Sequence, residues 1–481
     1  MTSEQLIYDQ LAQHFGYSTF KPGQLAVIKS VLAGQETLAV LPTGTGKSLC
    51  YQLPAYILGH TTVIVSPLIA LMQDQVAQLN YQGEKRAVAI NSNLVPQQKY
   101  QLLTHLADYR FIFMAPETIS QREVIQALQR CQIDLFVVDE AHCISQWGID
   151  FRPDYLVLAA IKAQLQPTAT LALTATANDR VRQDILNKLA LKNAAQIMTS
   201  VDRPNIYLGV SQQPDEQAKN QFLANLVQKS QGPGIIYFSS RQKTMEIAAF
   251  LQQETDLKIA YYHAALSTQE RYLIQQQFMQ GQLDLICTTN AFGMGINKAD
   301  IRYVIHYHLP QNIESYLQEI GRAGRDGQPA YALVLTTPQD LYLQQSLVSF
   351  GIPEPGLIRR YYQEPQLFKQ SQGNEFELLR RYQQLGMTEE EVIKLLDNRQ
   401  TEKQFSLQTM LDYLTLKGCR RQFIVNYFDQ APKTIEHSGT CCGEQDSTDF
   451  LAQLDLEQAI NYKTAETVVL TGWTGILDQL F

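Results

Sequence analysis

The chain has 481 residues and a mass of 54.5 kDa, with 45% hydrophobic and 18% charged residues. At roughly 150 residues per domain, this length predicts about three domains and excludes a single small binding module, while the composition excludes a disordered chain. The formal net charge is −8, and from Gln430 onward two lysines stand against eight carboxylates, so any nucleic-acid site must be a local groove.

Cysteine usage and the N-terminus indicate the cellular compartment. Seven Cys are too sparse for a disulfide framework, and residues 1–20 lack the basic region and apolar segment of a signal peptide. The apolar run 63–72 is interrupted by Pro67 and falls short of the ~20 residues that cross a bilayer. We therefore expect a cytoplasmic protein without a membrane function.

Short apolar runs bounded by turn residues recur in two series along the chain. Buried parallel strands read as continuous Val, Ile, Leu and Phe because both of their faces are covered, so these runs predict α/β units. The first series comprises 37–41, 62–65, 111–114, 135–138 and 171–173. The second series, which follows the Gln-rich stretch 211–231, comprises 235–238, 285–287, 303–306 and 331–335. From about residue 350 the pattern becomes helical, with Thr388 as the N-cap of a helix that opens on three Glu.

The first predicted strand leads into a glycine-containing loop. Glycines let successive backbone amides turn toward phosphate oxygens, the lysine places a charge near the β and γ phosphates, and the serine hydroxyl can hold Mg²⁺. Leu41 stands where the strict pattern has its first Gly, so a plain strand-to-helix turn is the alternative interpretation. The residues that we expect to bind ATP with Mg²⁺ in this loop are Thr43, Gly44, Thr45, Gly46, Lys47 and Ser48.

A carboxylate pair, Asp139 and Glu140, follows the apolar run 135–138, at the strand edge where ligands of α/β sheets usually bind. Asp139 can complete the Mg²⁺ shell while Glu140 orients and deprotonates the attacking water, so we expect Glu140 and Lys47 to be catalytic. By itself, such a pair is more often a solvated turn or helix cap. Its combination with the phosphate loop favours nucleotide hydrolysis.

In the second unit, Gln318, Arg322 and Arg325 fall at i, i+4 and i+7, which predicts that they share one face of a helix. One interpretation is an exposed cationic stripe. The other is that both guanidiniums reach a phosphate held by the first unit and stabilise the transition state, a contribution typically worth ~10³ to 10⁵ in turnover. Hydrolysis would then depend on closure of the two units.

These motifs, in this order, resemble the superfamily two helicases and, among them, the RecQ-type DNA helicases, from about residue 11 to 428. The most discriminating segment is DEAHCISQWGIDFRPDY at 139–155, although Ile149 stands where the family commonly has His. The other matching segments are 41–48, 66–75, 173–177, 202–205, 236–241, 262–264, 288–298 and 318–327. The resemblance implies two tandem RecA-like parallel-sheet domains followed by a smaller, mostly helical domain. The family's phosphate loop also lacks the leading Gly.

The resemblance implies roles for residues outside the phosphate chemistry. Phe15 and Gln24 belong to a segment that looks like the family's adenine-reading motif, with Gln24 as the partner of the base edge and Gln318 also near the nucleotide. An aromatic segment would stack on or contact single-stranded bases, at ~1 to 3 kcal/mol per stacked base, with ordinary core packing as the alternative. The residues expected to contact DNA are Ser66, Pro67, Gln73, Trp147, Phe151, Arg152 and Thr288.

The C-terminal region offers three Cys where the family's zinc module has four. Cys419 resembles the first ligand, and Cys441 and Cys442 lie where the family has a C-x-x-C-x-x-C run. The flanking ligand positions hold no good soft ligand, although His437 is nearby. The sequence leaves open whether zinc binds or whether a metal-free helical remnant is held by its core.

The resulting prediction is an ATP-dependent helicase that moves 3′-to-5′ along single-stranded DNA and unwinds partly duplex DNA in recombination and repair. The family's winged helix and further helical DNA-binding domain look absent or reduced. One alternative is an ATP-gated single-strand clamp or annealing factor, which would not need Glu140, Arg322 and Arg325. Another is an RNA helicase, which the aromatic segment disfavours. We expect a monomer with RecA-like domains at 1–205 and 206–345, a helical zinc-module-like domain at 346–445 and an acidic tail at 446–481.

Overall fold

The computed structural model describes residues 3–67, 69–91, 94–145, 152–292, 298–340, 352–368, 371, 373–428, 441–444 and 448–457. Three residues that the sequence singles out, Trp147, Ile149 and Phe151, lie outside the described residues, as does most of the predicted acidic tail. No described helix combines the length and the apolar composition that a bilayer crossing requires.

The first sheet has seven parallel strands in the order β3-β4-β2-β5-β6-β1-β7. Its strands are β1 Thr37–Val40, β2 Thr61–Val65, β3 Ala87–Ile90, β4 Phe111–Met114, β5 Ile133–Val138, β6 Ala169–Thr174 and β7 Ala195–Met198. The five strands predicted from continuous apolar runs are buried along their whole length, because helices cover both faces of the sheet.

The second sheet repeats this architecture with seven further parallel strands in the order β10-β11-β9-β12-β13-β8-β14. Its strands are β8 Ile206–Gln212, β9 Gly234–Tyr237, β10 Ile259–Tyr262, β11 Leu285–Thr288, β12 Tyr303–His306, β13 Ala330–Thr336 and β14 Cys442–Glu444. Position by position, β8 takes the place of β1 and β12 that of β5. The predicted pair of tandem RecA-like domains is therefore confirmed.

The helices surround these sheets and then form the C-terminal region. They are α1 Glu4–Phe15, α2 Gln24–Leu32, α3 Leu49–Leu58, α4 Ile69–Tyr81, α5 Pro96–Thr104, α6 Pro116–Ile119, α7 Arg122–Leu128, α8 Leu158–Leu165, α9 Asp179–Lys188, α10 Glu216–Lys229, α11 Arg241–Glu254, α12 Thr268–Met279, α13 Ile313–Ile320, α14 Pro355–Gln363, α15 Asn374–Gln384, α16 Glu389–Leu414, α17 Arg420–Tyr427 and α18 Phe450–Gln453. Short 3₁₀ turns join several of them.

The Gln-rich stretch 211–231 does not separate the two series of strands, as the sequence suggested. The second sheet begins before it with β8, and the stretch itself holds the end of that strand and all of α10. Gln is a good helix former, so a Gln-rich segment with apolar residues at helical spacing folds as an amphipathic helix. Leu223, Leu226 and Val227 form its buried face, and the Asp215 side chain caps its N-terminus.

The helical region is anchored on the second sheet by its longest helix, α16. The predicted N-cap is confirmed: the Thr388 hydroxyl accepts from the amide of Glu391, and the Glu391 carboxylate accepts from the amide of Thr388, which together form a capping box. At the other end of α16, Met410 and Tyr413 are buried in the core of the second sheet. A separate small core joins α14, α15 and the first part of α16.

Candidate active site

The phosphate loop leaves the carboxyl end of β1 and enters α3. Gly44 and Gly46 have φ angles of 87° and 73°, which L side chains rarely adopt. A Cβ on Gly46 would also lie 3.0 Å from Nε2 of Gln24, so the loop requires glycine for space as well as conformation. Lys47 turns back over the loop, and its Nζ donates to the carbonyl of Leu41 at 3.5 Å. The loop therefore has the shape of a phosphate cradle at a helix N-terminus.

Gln24, the predicted adenine partner, supports this loop directly. Its Nε2 donates to the carbonyls of Thr45 at 2.7 Å and Gly46 at 3.1 Å, and its Oε1 accepts from the amide of Lys21 at 2.8 Å. Phe15 packs nearby against the small core between α1, α2 and α3. In this arrangement the Gln24 amide is committed to protein groups, so a contact with adenine would require it to exchange one of these bonds.

The acid pair follows β5 on the neighbouring part of the same sheet edge. Glu140 has a φ of 48°, in the left-handed region, and strained backbone of this kind concentrates at functional sites. Burial and the adjacent Glu140 carboxylate raise the pKa of Asp139. Burial would also raise the pKa of Glu140, but the hydrogen bond from His142 and the charge of Lys47 outweigh it and lower that pKa. Glu140 is thus held ionised as a base, whereas Asp139 is a buried carboxylate suited to a cation.

The neighbours of the acid pair link it to other motifs. Nδ1 of His142 lies 3.3 Å from Oε2 of Glu140 and 3.1 Å from the hydroxyl of Thr174, the last residue of β6. The hydroxyl of Tyr155 donates to the backbone carbonyl of Asp139 at 3.1 Å. His142 thus orients the Glu140 carboxylate, and Tyr155 holds the backbone at Asp139; no role was assigned to either residue from the sequence.

The arginines of the second unit do not share one face of a helix, so that prediction is wrong. α13 ends at Ile320, and both Arg322 and Arg325 lie in the turns that follow. Gly321 is the C-cap of α13, and the turn that follows it requires Gly324, which has a φ of 53° and where a Cβ would lie 2.4 Å from Nδ2 of Asn205. Gln318 lies on the last turns of α13 and is half-buried.

The turns after α13 nevertheless lie against the phosphate loop of the first unit. A Cβ on Gly44 would lie 3.3 Å from Cγ of Arg325, and a Cβ on Gly321 would lie 3.0 Å from Cβ of Thr43. The Arg322 charge is among the causes that lower the pKa of Glu140. Both arginine-bearing turns therefore face the cleft between the two units.

Several cationic side chains lie close together in the cleft and repel one another. Burial, followed by repulsion from Arg322 and Arg203, lowers the pKa of Arg325 to about 10. Burial and the charges of Arg203 and Arg325 also lower the pKa of Lys21, whose ammonium donates to the carbonyl of Gly44 at 2.8 Å. A site that brings several cations together despite their mutual repulsion is suited to a polyanion such as a nucleoside triphosphate.

The second unit has a lysine at the position that corresponds to Lys47, but the residues before it differ from a phosphate loop. Lys219 follows the end of β8 by seven residues, as Lys47 follows the end of β1. The residues between β8 and Lys219, 213–218, contain no glycine, carry Asp215 and Glu216, and already form the start of α10 from Glu216 onward. The Lys219 ammonium is buried and paired with Asp340 at 2.7 Å, so its charge is already neutralised. Nucleotide binding is expected in the first unit.

The predicted DNA-contact residues fall into two groups. Gln73 is exposed on α4, and Arg152 is half-exposed with its Nη1 3.8 Å from the carboxylate of Glu117. Ser66 is buried at the end of β2. Pro67, another predicted DNA-contact residue, is buried just after β2. Thr288 is fully buried, and its hydroxyl is within hydrogen-bond distance of the carbonyls of Tyr262 and Thr289. In this arrangement Thr288 holds its loop rather than facing a ligand.

The sulfurs of the three C-terminal cysteines lie close together beside the second sheet. The sulfur of Cys419 lies 3.8 Å from that of Cys441 and 3.7 Å from that of Cys442. A tetrahedral zinc site with Zn–S bonds of about 2.3 Å separates its sulfurs by about 3.8 Å. The cluster thus has the spacing of three zinc ligands, and adjacent cysteines do not prevent it. His437 lies outside the described residues.

Family comparisons match the chain over the same three regions. Residues 21–185 match the DEAD/DEAH box helicases, and residues 218–327 match the helicase conserved C-terminal domain. Residues 379–445 match the RecQ zinc-binding family. The first two matches contain the phosphate loop, the acid pair and the arginine turns, and the third contains the cysteine cluster.

Individual relatives and structures give the same result. The probable ATP-dependent DNA helicase RecS of Bacillus subtilis is 42% identical over 447 residues, covering 90% of this chain and 90% of that protein. The ATP-dependent DNA helicase RecQ of Haemophilus influenzae is 42% identical over 339 residues, so the match covers 69% of this chain but only 54% of that protein. The Mycobacterium smegmatis helicase Lhr, solved with ssDNA and AMP-PNP, aligns with a TM-score of 0.57 at 17% identity over 86% of this chain and 58% of that chain. At that identity the likeness supports the fold alone.

Proposed function

Because the chain belongs to the RecQ family of ATP-dependent helicases, we propose that it hydrolyses ATP to move 3′-to-5′ along single-stranded DNA and to separate duplexes. The single observation that carries the proposal is the proximity of the arginine turn to the phosphate loop, which supports one ATP site shared by both units. A protein that only bound DNA would have no need of an ionised base and two arginines in this cleft.

In the proposed reaction the first unit binds the nucleotide and the second unit triggers its hydrolysis. The loop amides and Lys47 bind the phosphates, Glu140 takes the proton of the attacking water, and Arg322 and Arg325 stabilise charge on the transferred phosphoryl group. Ser48 and Asp139 are the residues that would hold Mg²⁺, which supplies charge neutralisation at the phosphates. Repeated closure and opening of the cleft would advance the two units along the strand.

Strand polarity tests the proposal. We expect duplexes with a 3′ single-stranded overhang to be unwound in the presence of ATP, and duplexes with a 5′ overhang to be left intact. Fluorescent strand-displacement assays measure both, with blunt duplex as the control and single-stranded DNA and RNA compared as stimulators of ATP turnover. ATP-independent annealing without unwinding would support the clamp alternative, and stimulation by RNA alone would contradict a DNA motor.

We also propose that Cys419, Cys441 and Cys442 bind one structural zinc ion. Metal analysis of the purified chain should find one zinc per chain, and Cys419→Ser should lose it together with thermal stability. Cys131→Ser, which replaces a half-buried Cys elsewhere in the first unit, should keep the zinc. A wild-type chain without zinc would instead support the metal-free helical remnant.

Several finer points of the prediction stay proposals. We propose domain limits at 1–205, 206–345, 346–445 and 446–481, and action in the cytoplasm as a monomer during recombination and repair. The strand β14, at 442–444, lies in the second sheet although its sequence neighbours belong to the third region. Residues 442–444 therefore pack on the second motor unit.

A further inference from the structure

Arg203 lies in the connection between the two sheets and bridges the two units with a single side chain. Its Nη1 donates to the carbonyl of Thr43 in the phosphate loop at 3.4 Å and to that of Gly321 at 3.5 Å. Its Nη2 donates to the carbonyls of Ala323 at 3.1 Å and Gly324 at 2.7 Å. One guanidinium therefore contacts the phosphate loop of one unit and the arginine turn of the other.

The geometry suits arginine in particular. A guanidinium presents several N–H donors in a rigid plane, so it can contact acceptors on two sides at once, whereas a lysine ammonium is a compact point charge. Arg203 is half-buried, and this burial is the main cause that lowers the pKa of its guanidinium. A half-buried cation that donates to several backbone carbonyls restrains the positions of those carbonyls.

A second arginine fixes the backbone from which Arg203 projects. Nη1 of Arg421, in α17, donates to the carboxylate of Asp202 and, at 2.8 Å, to the carbonyl of Arg203, while its Nη2 donates to the carbonyl of Ile206 at 2.6 Å. Its Nε lies 3.2 Å from the sulfur of Cys441. The connection between the motor units is thus held by the cysteine-bearing region, and the Arg203 side chain starts from an immobilised point.

We propose that Arg203 is a positioning residue for ATP hydrolysis, which sets the arginine turn at 321–325 against the phosphate loop without itself contacting the nucleotide. The inference rests on the proposed function. Arg203 acts through Arg325, because it holds the carbonyls of Ala323 and Gly324 immediately before that residue and the carbonyl of Gly321, to which Nε of Arg325 also donates. Without the Arg203 side chain, the turn at 321–325 is no longer held in position against the phosphate loop.

Steady-state ATP turnover in the presence of single-stranded DNA tests the inference with Arg203→Gln and Arg203→Lys. We expect kcat to fall ~10²-fold in both, since small misplacement of a catalytic group has an effect of this order. KM for ATP and Kd for ADP should stay within about threefold of wild type, because the phosphate loop itself is unchanged. Full activity in Arg203→Lys would overturn the inference, since that variant keeps the charge but not the planar fork.

The matched control is Arg302→Gln. Arg302 also donates to a backbone carbonyl beside the arginine turn, that of Pro329, and pairs with Asp326, but its contacts stay within the second unit. We expect its kcat to stay within about threefold of wild type. Equal losses of kcat in the Arg302 and Arg203 variants would assign Arg203 a merely structural role.

A double-mutant comparison separates positioning from general loss of structure. If Arg203 acts through Arg325, then adding Arg203→Gln to Arg325→Gln should slow turnover no further, whereas a structural role would give additive losses. Melting temperatures of all variants check the fold, and Arg203→Lys replaces Arg203→Gln in the double variant if the latter does not fold. A wild-type chain without DNA-stimulated turnover would contradict the proposed function, whereas an active wild type with active Arg203 variants contradicts only this inference.

Discussion

Glu140→Gln should reduce DNA-stimulated ATP turnover by ~10² to 10⁴ while leaving ATP binding intact, because it removes the general base without changing the size of the side chain. The low pKa of the Glu140 carboxyl keeps it ionised at neutral pH, and the amide of Gln cannot accept a proton. Lys47→Ala should abolish both turnover and tight ATP binding, since it removes the charge at the phosphates. Steady-state turnover and equilibrium nucleotide binding measure the two effects separately.

Glu246→Gln is the matched control for Glu140→Gln, because it makes the same chemical change at an exposed carboxylate on α11. Its turnover should equal that of wild type. Circular dichroism melting should show that the Lys47 and Glu140 variants retain the fold. Undiminished turnover in either of those two variants would remove the proposed hydrolytic mechanism.

The second large effect concerns the arginines that reach across the cleft. Arg322→Gln and Arg325→Gln should each lower kcat by up to ~10³ to 10⁵, because a guanidinium that stabilises the transferred phosphoryl group contributes on that scale. KM for ATP should change far less, since the loop amides and Lys47 still bind the ground state. Steady-state kinetics with saturating single-stranded DNA provide both values.

Arg359→Gln supplies the control for these two variants, since Arg359 is exposed on α14 in the helical region. We expect it to leave kcat unchanged. If loss of Arg322 or Arg325 raised KM and left kcat intact, the two residues would be ground-state ligands, and the trigger role assigned to the second unit would be wrong.

The sequence was sufficient for the parts of the fold that depend on burial. The runs at 111–114 and 303–306 coincide with β4 and β12, because strands covered on both faces are continuously apolar. The edge strands β3 and β7 escaped prediction for the converse reason: each has a partly exposed face and only four residues. β14, at 442–444, is only three residues long and pairs with a strand more than two hundred residues earlier, which local patterns cannot reveal.

Within the site as well, the sequence was sufficient for local motifs but not for contacts between distant stretches of chain. The phosphate loop and the acid pair are local motifs, so residue type and spacing were enough to bring Lys47, Asp139 and Glu140 together. The arginine turn required more, since helical spacing predicted one helix face, whereas α13 ends at Ile320 and both arginines lie in the turns after it. The sequence singled out Arg203 only as part of a segment resembling the boundary between the two motor units, because its contacts are with carbonyl groups from two distant stretches of chain, at Thr43 and at 321–324.

The cysteine cluster shows how tertiary structure changes an interpretation. In sequence, Cys441 and Cys442 are adjacent, a spacing that disfavours binding of both to one ion. In the fold, Cys441 directly precedes β14 and Cys442 begins it, and their sulfurs and that of Cys419 all lie within 4.8 Å of one another. A metal site that the spacing alone disfavoured thus becomes the better interpretation.

The central claim is that the first unit binds the nucleotide and that the arginines of the second unit stabilise the transition state of its hydrolysis. Competition binding of ADP with aluminium fluoride, an analogue of the phosphoryl-transfer transition state, measures this most directly when wild type is compared with the Arg322→Gln, Arg325→Gln double variant. We predict equal affinity for ADP alone and at least ~10²-fold weaker binding of the analogue by the double variant. Equal affinity of both proteins for the analogue would contradict the account.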